Sequence, residues 1–436
     1  MILSQAESGR GVAGALAAVL GGDLQVAIRA YDGSHAGPSD ASTTLVIRSP
    51  VAVRRVLSSP GELGFARAYV AGDIDVDGDI YPALAALRRP LADDAFRSPR
   101  SWVAVARLVG GAGGLRRAPE PPPEEVRLHG RRHSRSRDAA AIAHHYDVSG
   151  GFYRLLLGST MTYSCAVWED PSVGLDAAQE AKYELICRKL GLVPGVRLLD
   201  VGCGWGGMAI HAARMYGVRV VGVTLSREQA ELARRRVADA GLADLVEIRL
   251  ADYREIEDGP YQAISSIGMF EHVGADQLGR YFARMHRLLA PEGRLLNHGI
   301  SRPAGQRTFG RSSFLQRYVF PDGELEEIGT VVSAVQHAGL EIRHVENLRE
   351  HYALTLRAWS RNLDEHYAEA VRLAGAGRAR VWRLYLAGSA LGFESGEVEI
   401  HQTLAVKTAA GSSGLPLRPD WAAPPAPADR AANGAA

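Results

Sequence analysis

The amino-acid sequence predicts a doubly wound, Rossmann-like α/β domain preceded by a smaller α+β domain. From residue 196 onward, short apolar runs typical of buried parallel strands alternate with segments that carry apolar residues at helical spacing. Between residues 24 and 87 the runs are short, alternate apolar with polar residues and are broken by Gly, Asp and Pro. In a doubly wound sheet, function is expected at the carboxyl ends of the strands.

Length and composition narrow the possible classes of function. The chain has 436 residues, 46% hydrophobic and 23% charged, and a formal net charge of +1, so it lacks the global basic field of a nucleic-acid-binding protein. Its three cysteines form no disulfide framework and no CxxC pair, so no metal site is predicted and a reducing cytoplasm is expected. No run approaches the ~18 apolar residues of a membrane span.

Composition shifts suggest four regions. Residues 1–109 form the amino-terminal α+β domain, of a lipid-binding or dimerisation type, and residues 110–138 form a linker rich in Pro, Gly and Arg. Residues 139–408 form the catalytic domain, and the Ala- and Pro-rich residues 409–436 form a disordered tail.

The elements of the catalytic domain follow one another in a regular order. Strands are predicted at residues 196–201, 218–224, 245–250, 261–267 and 293–300. Helices are predicted between them, at residues 208–217, 226–241 and 276–289. This order is that of a parallel sheet with crossover helices.

A glycine-rich loop follows the first of these strands. Gly202, Gly204 and Gly207 form a GxGxxG pattern, in which glycines permit a tight turn and close approach of a ligand. Asp200 places a carboxylate directly before the loop. The order of strand, loop and helix is the one that a nucleotide-type cofactor site requires.

The residues after the second and third strands indicate which cofactor is bound. A dinucleotide site would carry an acid after the second strand, but this chain has Thr224, Ser226 and Gln229 there. An acid before the glycines suits a cofactor with a cationic methionine end, and S-adenosylmethionine is such a cofactor. Asp252 can take the adenine amino group and Tyr253 can stack on the ring, with Arg254 beside them. The sheet is then of the class I methyltransferase type.

Several strings resemble the cyclopropane-fatty-acyl-phospholipid synthases and the related fatty-acid C-methyltransferases. The matching strings include TMTYSCAVWED, LLDVGCGWGGMAIHAA, GMFEHVG, LLNHGIS, RYVFPDGEL and REHYALTLRAW, in family order across residues 140–407. GELGFARAYVAGDIDVDGDI also resembles the amino-terminal domain of the longer, phospholipid-acting members. The first string adds Tyr163 and Ser164 to the expected cofactor site.

The resemblance also implies a catalytic base, a bicarbonate ion. In this chain its ligands would be the side chains of Glu271, His298 and Tyr352 and the backbone amides of Cys165 and Ile300. Such a base suits the chemistry, because attack of a cis alkene on a sulfonium methyl leaves a carbocation that must lose a proton in a dry pocket. The expected substrate is an oleoyl-like acyl chain in a phospholipid. The product is a cyclopropane, or a methylene branch that a separate reductase could saturate.

Two departures from the family bear on this chemistry. Many relatives read HTI where this chain has Gly299 between His298 and Ile300, which favours the branched product slightly. Some relatives carry a cysteine where this chain has Ser389, so a covalent thiolate mechanism is not expected.

Two other classes of function remain open from sequence, an NAD or flavin oxidoreductase and a non-catalytic lipid carrier. A nucleic-acid methyltransferase would carry an N/D-P-P-Y/F-type motif, and none is present. The expected partners are phospholipid acyl chains at the inner face of the membrane, reached by peripheral attachment, and a second copy of the chain in a homodimer. Five arginines could meet anionic head groups: Arg127, Arg131, Arg132, Arg135 and Arg137.

Overall fold

The structure is a computed structural model that describes residues 11–20, 24–92, 118–126, 149–306, 310 and 313–421. The chain packs into two compact units, each built from three segments. The first unit comprises residues 1–128, 309–321 and 359–392, and the second comprises residues 129–308, 322–358 and 393–436. Residues 309–321 and 359–392, which sequence analysis placed in the catalytic domain, therefore pack with the amino-terminal residues.

The first unit contains a four-stranded sheet with the order β2-β1-β3-β4, in which only β1 and β3 are parallel. Its strands are β1 (Ala27–Ala30), β2 (His35–Ala36), β3 (Thr44–Ile47) and β4 (Ile74–Asp77). The accompanying helices are α1 (Gly11–Leu20), α2 (Pro50–Ser58), α3 (Glu62–Val70) and α4 (Ile80–Ala92). The α+β character predicted for this region is confirmed.

Part of the predicted linker is packed into the first unit. Residues 118–126 are described, and within them Glu125 is buried and receives hydrogen bonds from Nε and Nη2 of Arg67, both at 2.7 Å. The hydroxyl of Tyr318 donates to the same carboxylate at 3.2 Å. The expectation of a free linker is wrong for these residues, because a buried ion pair holds them. Residues 110–117 and 127–138 lie outside the described residues.

The second unit is built on a mostly parallel sheet with the order β11-β12-β9-β8-β5-β6-β7, and β10 pairs with β9. Strand β12 runs in the opposite direction to the other strands of this sheet. The strands are β5 (Arg197–Val201), β6 (Arg219–Thr224), β7 (Val246–Leu250), β8 (Tyr261–Ile267), β9 (Leu289–Arg302), β10 (Glu326–Glu327), β11 (Glu341–Asn347) and β12 (Glu399–Val406). All five predicted strands are confirmed, whereas β10, β11 and β12 were not predicted from the sequence.

Helices cover both faces of this sheet, as its apolar strands require. Leu198 of β5 packs in the cluster on one face and its neighbour Leu199 packs in the cluster on the other, because successive side chains of a strand alternate. The helices of this part of the chain are α5 (Gly150–Leu157), α6 (Leu175–Leu190), α7 (Gly207–Tyr216), α8 (Arg227–Asp239), α9 (Leu278–Leu288) and α10 (Ile328–His337). Farther along the chain, α11 (Arg349–Glu365) begins in the second unit and ends in the first, whereas α12 (Tyr367–Ala374) and α13 (Ala376–Glu394, up to residue 392) belong to the first unit.

The predicted disordered tail is ordered in its first half. Nη2 of Arg294 donates to the carbonyl of Gly414 at 3.0 Å, and Nη1 of Arg188 donates to that of Trp421 at 3.3 Å. The prediction is therefore wrong for residues 409–421, because arginines of the second unit bind their carbonyls. Residues 422–436 lie outside the described residues. Within the part of the chain that the structure describes, no helix combines the length and apolar character needed to cross a membrane.

Candidate active site

The glycine-rich loop turns sharply between the end of β5 and the start of α7. Gly202 and Gly204 have φ values of 76° and 53°, which disfavour residues with a Cβ atom. A Cβ atom on Gly202 would lie 2.4 Å from Cγ of Met269, so this glycine permits close packing. A Cβ atom on Gly204 would meet no atom within 4 Å, because Gly204 faces a cavity.

The cavity measures about 440 Å³ and lies at the carboxyl ends of β5, β6 and β8. The structure brings most of the predicted cofactor residues to its wall. These are Tyr163, Ser164, Asp200, Gly202, Gly204, Gly207, Thr224, Gln229, Tyr253 and Arg254. Residues from four separate places in the sequence therefore meet at the edge of the sheet where the doubly wound fold binds ligands.

The other two predicted cofactor residues stand behind this wall. The Ser226 hydroxyl caps the start of α8, where it accepts a hydrogen bond from the backbone N–H of Gln229 at 3.2 Å. The Asp252 carboxylate is buried and paired with Arg254, whose Nε lies 2.8 Å from Oδ1 and whose Nη2 lies 2.5 Å from Oδ2. Asp252 thus orients Arg254, the side chain of this pair that lines the cavity.

Asp200 presents one oxygen atom without a partner. Its Oδ1 accepts a hydrogen bond from the Ser265 hydroxyl at 2.7 Å, whereas Oδ2 is buried without a hydrogen-bond partner among the described residues. Burial raises the pKa of Asp200 to about 6, and the bond from Ser265 and the charge of Lys182 oppose this shift. A buried carboxylate oxygen of this kind fits a ligand with a cationic or hydrogen-donating end.

Sequence analysis missed a lysine in the cavity wall. Lys182 of α6 is fully buried, with Nζ 3.0 Å from Oγ of Ser164 and 4.2 Å from the centre of the Tyr183 ring. Burial lowers the pKa of Lys182 to about 7, against the opposing effect of Cys165 and Asp200. The sequence contained a pattern that could have drawn attention to this residue. The chain has only three lysines, and two of them, Lys182 and Lys189, lie two turns apart on one helix face. The rim also carries Arg280, Arg284 and Arg287 of α9.

The residues expected to hold an anion form a second cluster next to the cavity. Glu271 is buried, and its Oε1 accepts a hydrogen bond from the Ile300 amide at 2.8 Å. Its Oε2 has no hydrogen-bond partner among the described residues. Burial raises the pKa of Glu271 to about 7, although the amide of Ile300 opposes the shift. The amide of Ile300, expected to face the anion, is thus used by Glu271 itself in this structure.

His298 lies two residues before Ile300 on β9, so the two side chains share a face of the strand. It is buried, with Nδ1 3.1 Å from Nε2 of Gln402, while its own Nε2 has no partner among the described residues. Burial lowers the pKa of His298 well below its ordinary value, and the charges of Lys182 and Lys189 act in the same direction.

Cys165 and Tyr352 are joined through Leu348. The carbonyl of Leu348 accepts a hydrogen bond from the Tyr352 amide at 3.1 Å and one from the Cys165 thiol at 3.8 Å. The backbone N–H of Leu348 donates to the carbonyl of Ile400 of β12, which pairs with Ile300 of β9.

Burial raises the pKa of the Cys165 thiol, so this cysteine is not a thiolate at neutral pH. None of the five anion residues lines the cavity, but Ser164, Met269 and His272 do.

Gly299 is one of the two departures from the family, and the structure shows what its missing side chain permits. The ring of Phe270 packs against this glycine, and Oε1 of Glu271 lies 3.2 Å from the position that a Cβ atom would take. The identity of residue 299 therefore bears directly on the position of Glu271.

A mostly parallel sheet, a glycine loop with an acid before it and a cavity at the carboxyl edge define a class I S-adenosylmethionine-dependent methyltransferase. The residues fit this cofactor, because Gly204 leaves free space at its Cβ position in the cavity wall and Asp200 offers an oxygen atom without a hydrogen-bond partner among the described residues. Residues 133–403 match the family described as mycolic acid cyclopropane synthetase. The chain belongs to this family of cyclopropane and fatty-acid methyltransferases.

Individual relatives agree with this assignment. The chain is 46% identical over 404 residues to a probable fatty acid methyltransferase of Mycobacterium tuberculosis, covering 90% of this chain and 93% of the relative. It is 40% identical over 393 residues to a probable fatty acid methyltransferase of Pseudomonas putida, covering 88% and 92%. A mycolic acid cyclopropane synthase complexed with SAH and CTAB superposes with a TM-score of 0.59 at 36% identity, covering 62% of this chain and 98% of that one.

Proposed function

We propose that this methyltransferase alkylates the cis double bond of an unsaturated acyl chain, of the oleoyl kind, esterified in a phospholipid. The names of the relatives, which are fatty acid and mycolic acid enzymes, support an acyl substrate. The observation that carries the reaction type is the pair of buried, unpartnered polar atoms beside the cavity, Oε2 of Glu271 and Nε2 of His298. A buried pair of this kind fits a small polar ligand.

That ligand, in our proposal, is bicarbonate acting as the base. The cofactor, when bound, supplies an electrophilic methyl group to the alkene. The acyl chain is then a carbocation and must lose one proton. Glu271, His298 and Tyr352 would hold the anion next to that cation, with the Cys165 amide as a further donor and the Ile300 amide holding Glu271 in place. A weakly nucleophilic anion can take the proton without forming a bond to the cation.

The fate of the cation decides the product. Loss of a proton from the transferred methyl group closes a cyclopropane ring. A hydride shift moves the positive charge to the carbon that bears the new methyl group, and loss of a proton from that methyl group then gives a methylene branch, which a separate reductase could saturate. Gly299 and the relatives named fatty acid methyltransferases favour the branched product.

The experiment is mass spectrometry of lipids from a host that is fed oleate and expresses the chain. We expect acyl chains heavier by one carbon, with fragmentation that distinguishes a branch from a ring. Glu271→Gln should retain S-adenosylmethionine binding and lose at least ~100-fold in turnover. Turnover in carbonate-depleted buffer should recover when bicarbonate is added. Unmodified oleate, or full turnover of Glu271→Gln, would contradict the proposal.

We further propose that the enzyme works in the cytoplasm at the inner face of the membrane, as a homodimer, on intact phospholipid. The arginines between Arg127 and Arg137 support this, although they lie outside the described residues. Arginines near an anionic surface contribute on the order of 1 kcal/mol each, and salt screens the attraction. Sedimentation with anionic vesicles should fall at high salt and in an Arg131→Ala, Arg132→Ala variant. Equal activity on free acyl thioesters, with no gain from vesicles, would contradict an intact phospholipid substrate.

A further inference from the structure

A chain of buried polar side chains reaches His298 from helix α6. Lys189 is fully buried, and its Nζ donates to Oε1 of Gln402 at 2.7 Å and also to the carboxylate of Glu346. An ammonium group has donors and no acceptor, so the Gln402 atom that faces Lys189 must be the amide oxygen. The amide nitrogen of Gln402 therefore points the other way.

That nitrogen points at His298. Gln402 of β12 and His298 of β9 are a directly opposed cross-strand pair, and Nε2 of Gln402 lies 3.1 Å from Nδ1 of His298. Because an amide NH₂ group can only donate, Nδ1 must accept and carries no proton. The proton of the neutral imidazole is then on Nε2, the buried atom that has no partner among the described residues.

We propose that Gln402, oriented by Lys189, is a positioning residue that holds His298 as the Nε2–H tautomer, so that this ring donates a hydrogen bond to the anion beside Glu271. The inference rests on the proposed function for the identity of the anion, but the tautomer is a property of the protein alone. The ionisable groups that act on His298 are Lys182 and Lys189 of α6 and His401 of β12. Among the described residues, the hydrogen-bond partner of Nδ1 is the amide nitrogen of Gln402.

The tautomer can be measured directly by nitrogen NMR of full-length protein labelled with [15N]histidine. The His298 signals are assigned by their loss in His298→Asn. We expect the wild-type protein to show a protonated Nε2 and an unprotonated Nδ1 at pH 7.5. In Gln402→Glu the carboxylate would accept from both Lys189 and the ring, so Nδ1 should become protonated. The matched control is Gln336→Glu, which adds the same charge at an exposed position of α10 and should leave the signals unchanged.

Two NMR results would overturn the inference: a wild-type His298 with its proton on Nδ1, or an unchanged Nε2–H tautomer in Gln402→Glu. The wild-type measurement needs no substitution, so a variant that fails to fold does not remove the test.

Turnover on dioleoyl phospholipid vesicles gives a second readout. Loss of the hydrogen-bond partner of a metal-binding histidine typically costs about 10- to 100-fold in activity, and we expect a loss of the same size in kcat for Gln402→Leu and Lys189→Met. S-adenosylmethionine affinity should stay within twofold. Full turnover in Gln402→Leu would refute a positioning role while leaving the proposed function intact. Full turnover in Glu271→Gln would instead refute the proposed function and leave the tautomer to be decided by NMR.

Discussion

A Cβ atom on Gly299 would lie 2.0 Å from Cε1 of Phe270, so the ring of Phe270 fills the space that a larger residue at this position would need. Phe270 and Glu271 are adjacent in one short 3-10 turn. The backbone amide of Ile300, the residue after Gly299, donates a hydrogen bond to the Glu271 carboxylate. Residue 299 therefore affects the position of the Glu271 carboxylate in two ways, through its contact with Phe270 and through the adjacent Ile300.

Replacing Gly299 with threonine, the residue of many relatives, should displace the Phe270 ring and shift Glu271. Overpacking of a buried site typically costs ~1–3 kcal/mol, and we expect a lower melting temperature together with a changed ratio of branched to cyclopropane product. Thermal unfolding and mass spectrometry of the lipid products measure both effects. Gly279→Thr on α9, where a Cβ atom meets nothing within 4 Å, is the control. An unchanged product ratio in a folded, active Gly299→Thr protein would separate residue 299 from the fate of the carbocation.

Gly204→Val should abolish S-adenosylmethionine binding, because its side chain would project into the cavity. The matched control is Gly241→Val, since Gly241 has a similar φ of 69°, is exposed and also has open space at its Cβ position. Both variants place valine at a similar positive φ, so the loss of cofactor space is the main difference between them. Isothermal calorimetry should show no binding for Gly204→Val and ordinary affinity for Gly241→Val. Equal affinity in the two variants would rule out this loop as the cofactor site.

Glu271→Gln should stabilise the protein at alkaline pH. The pKa of Glu271 is raised from 4.5 to about 7, so the folded protein binds a proton that the unfolded chain releases between these two values. The free energy of unfolding therefore falls as pH rises through this window. Glutamine removes the effect, so the stability difference should grow by on the order of 1–3 kcal/mol between pH 5 and pH 8. Urea unfolding in carbonate-free buffer measures it, and a difference independent of pH would contradict the raised pKa.

Tyr352→Phe should lower turnover by at least ~100-fold without changing S-adenosylmethionine affinity. The ring packs against Phe393 with 4.6 Å between ring centres, and phenylalanine preserves that contact while removing only the hydroxyl. Tyr216→Phe is a suitable control, because that hydroxyl binds Glu184 away from the anion cluster. Near-normal turnover of Tyr352→Phe on phospholipid would place the base site elsewhere.

The parallel strands and the cofactor loop could be predicted from sequence because their signals are local. A buried strand is a short apolar run, and the loop shows its glycines within six residues. Glu271, His298 and Tyr352 came from the family resemblance, since nothing local marks them as a group.

The contacts that orient these residues could not be predicted. Gln402 is 104 residues from His298 and 213 from Lys189, and the three meet only because the antiparallel strand β12 pairs with β9. Similarly, the pair of Glu125 with Arg67 spans 58 residues, so composition alone made residues 118–126 resemble a free linker. Pairings over such distances depend on the tertiary structure.

The division of the chain into interleaved segments has a consequence for how the enzyme can be taken apart. The chain passes between the two units at residues 128, 308, 321, 358 and 392. Deleting everything before residue 129 would remove one segment of the first unit. The other two segments, which carry the buried side chains of Tyr318 and Tyr385, would then lack the segment with which they pack. A clean dissection would have to excise three pieces and rejoin the ends, so a simple amino-terminal truncation does not correspond to removal of the first unit.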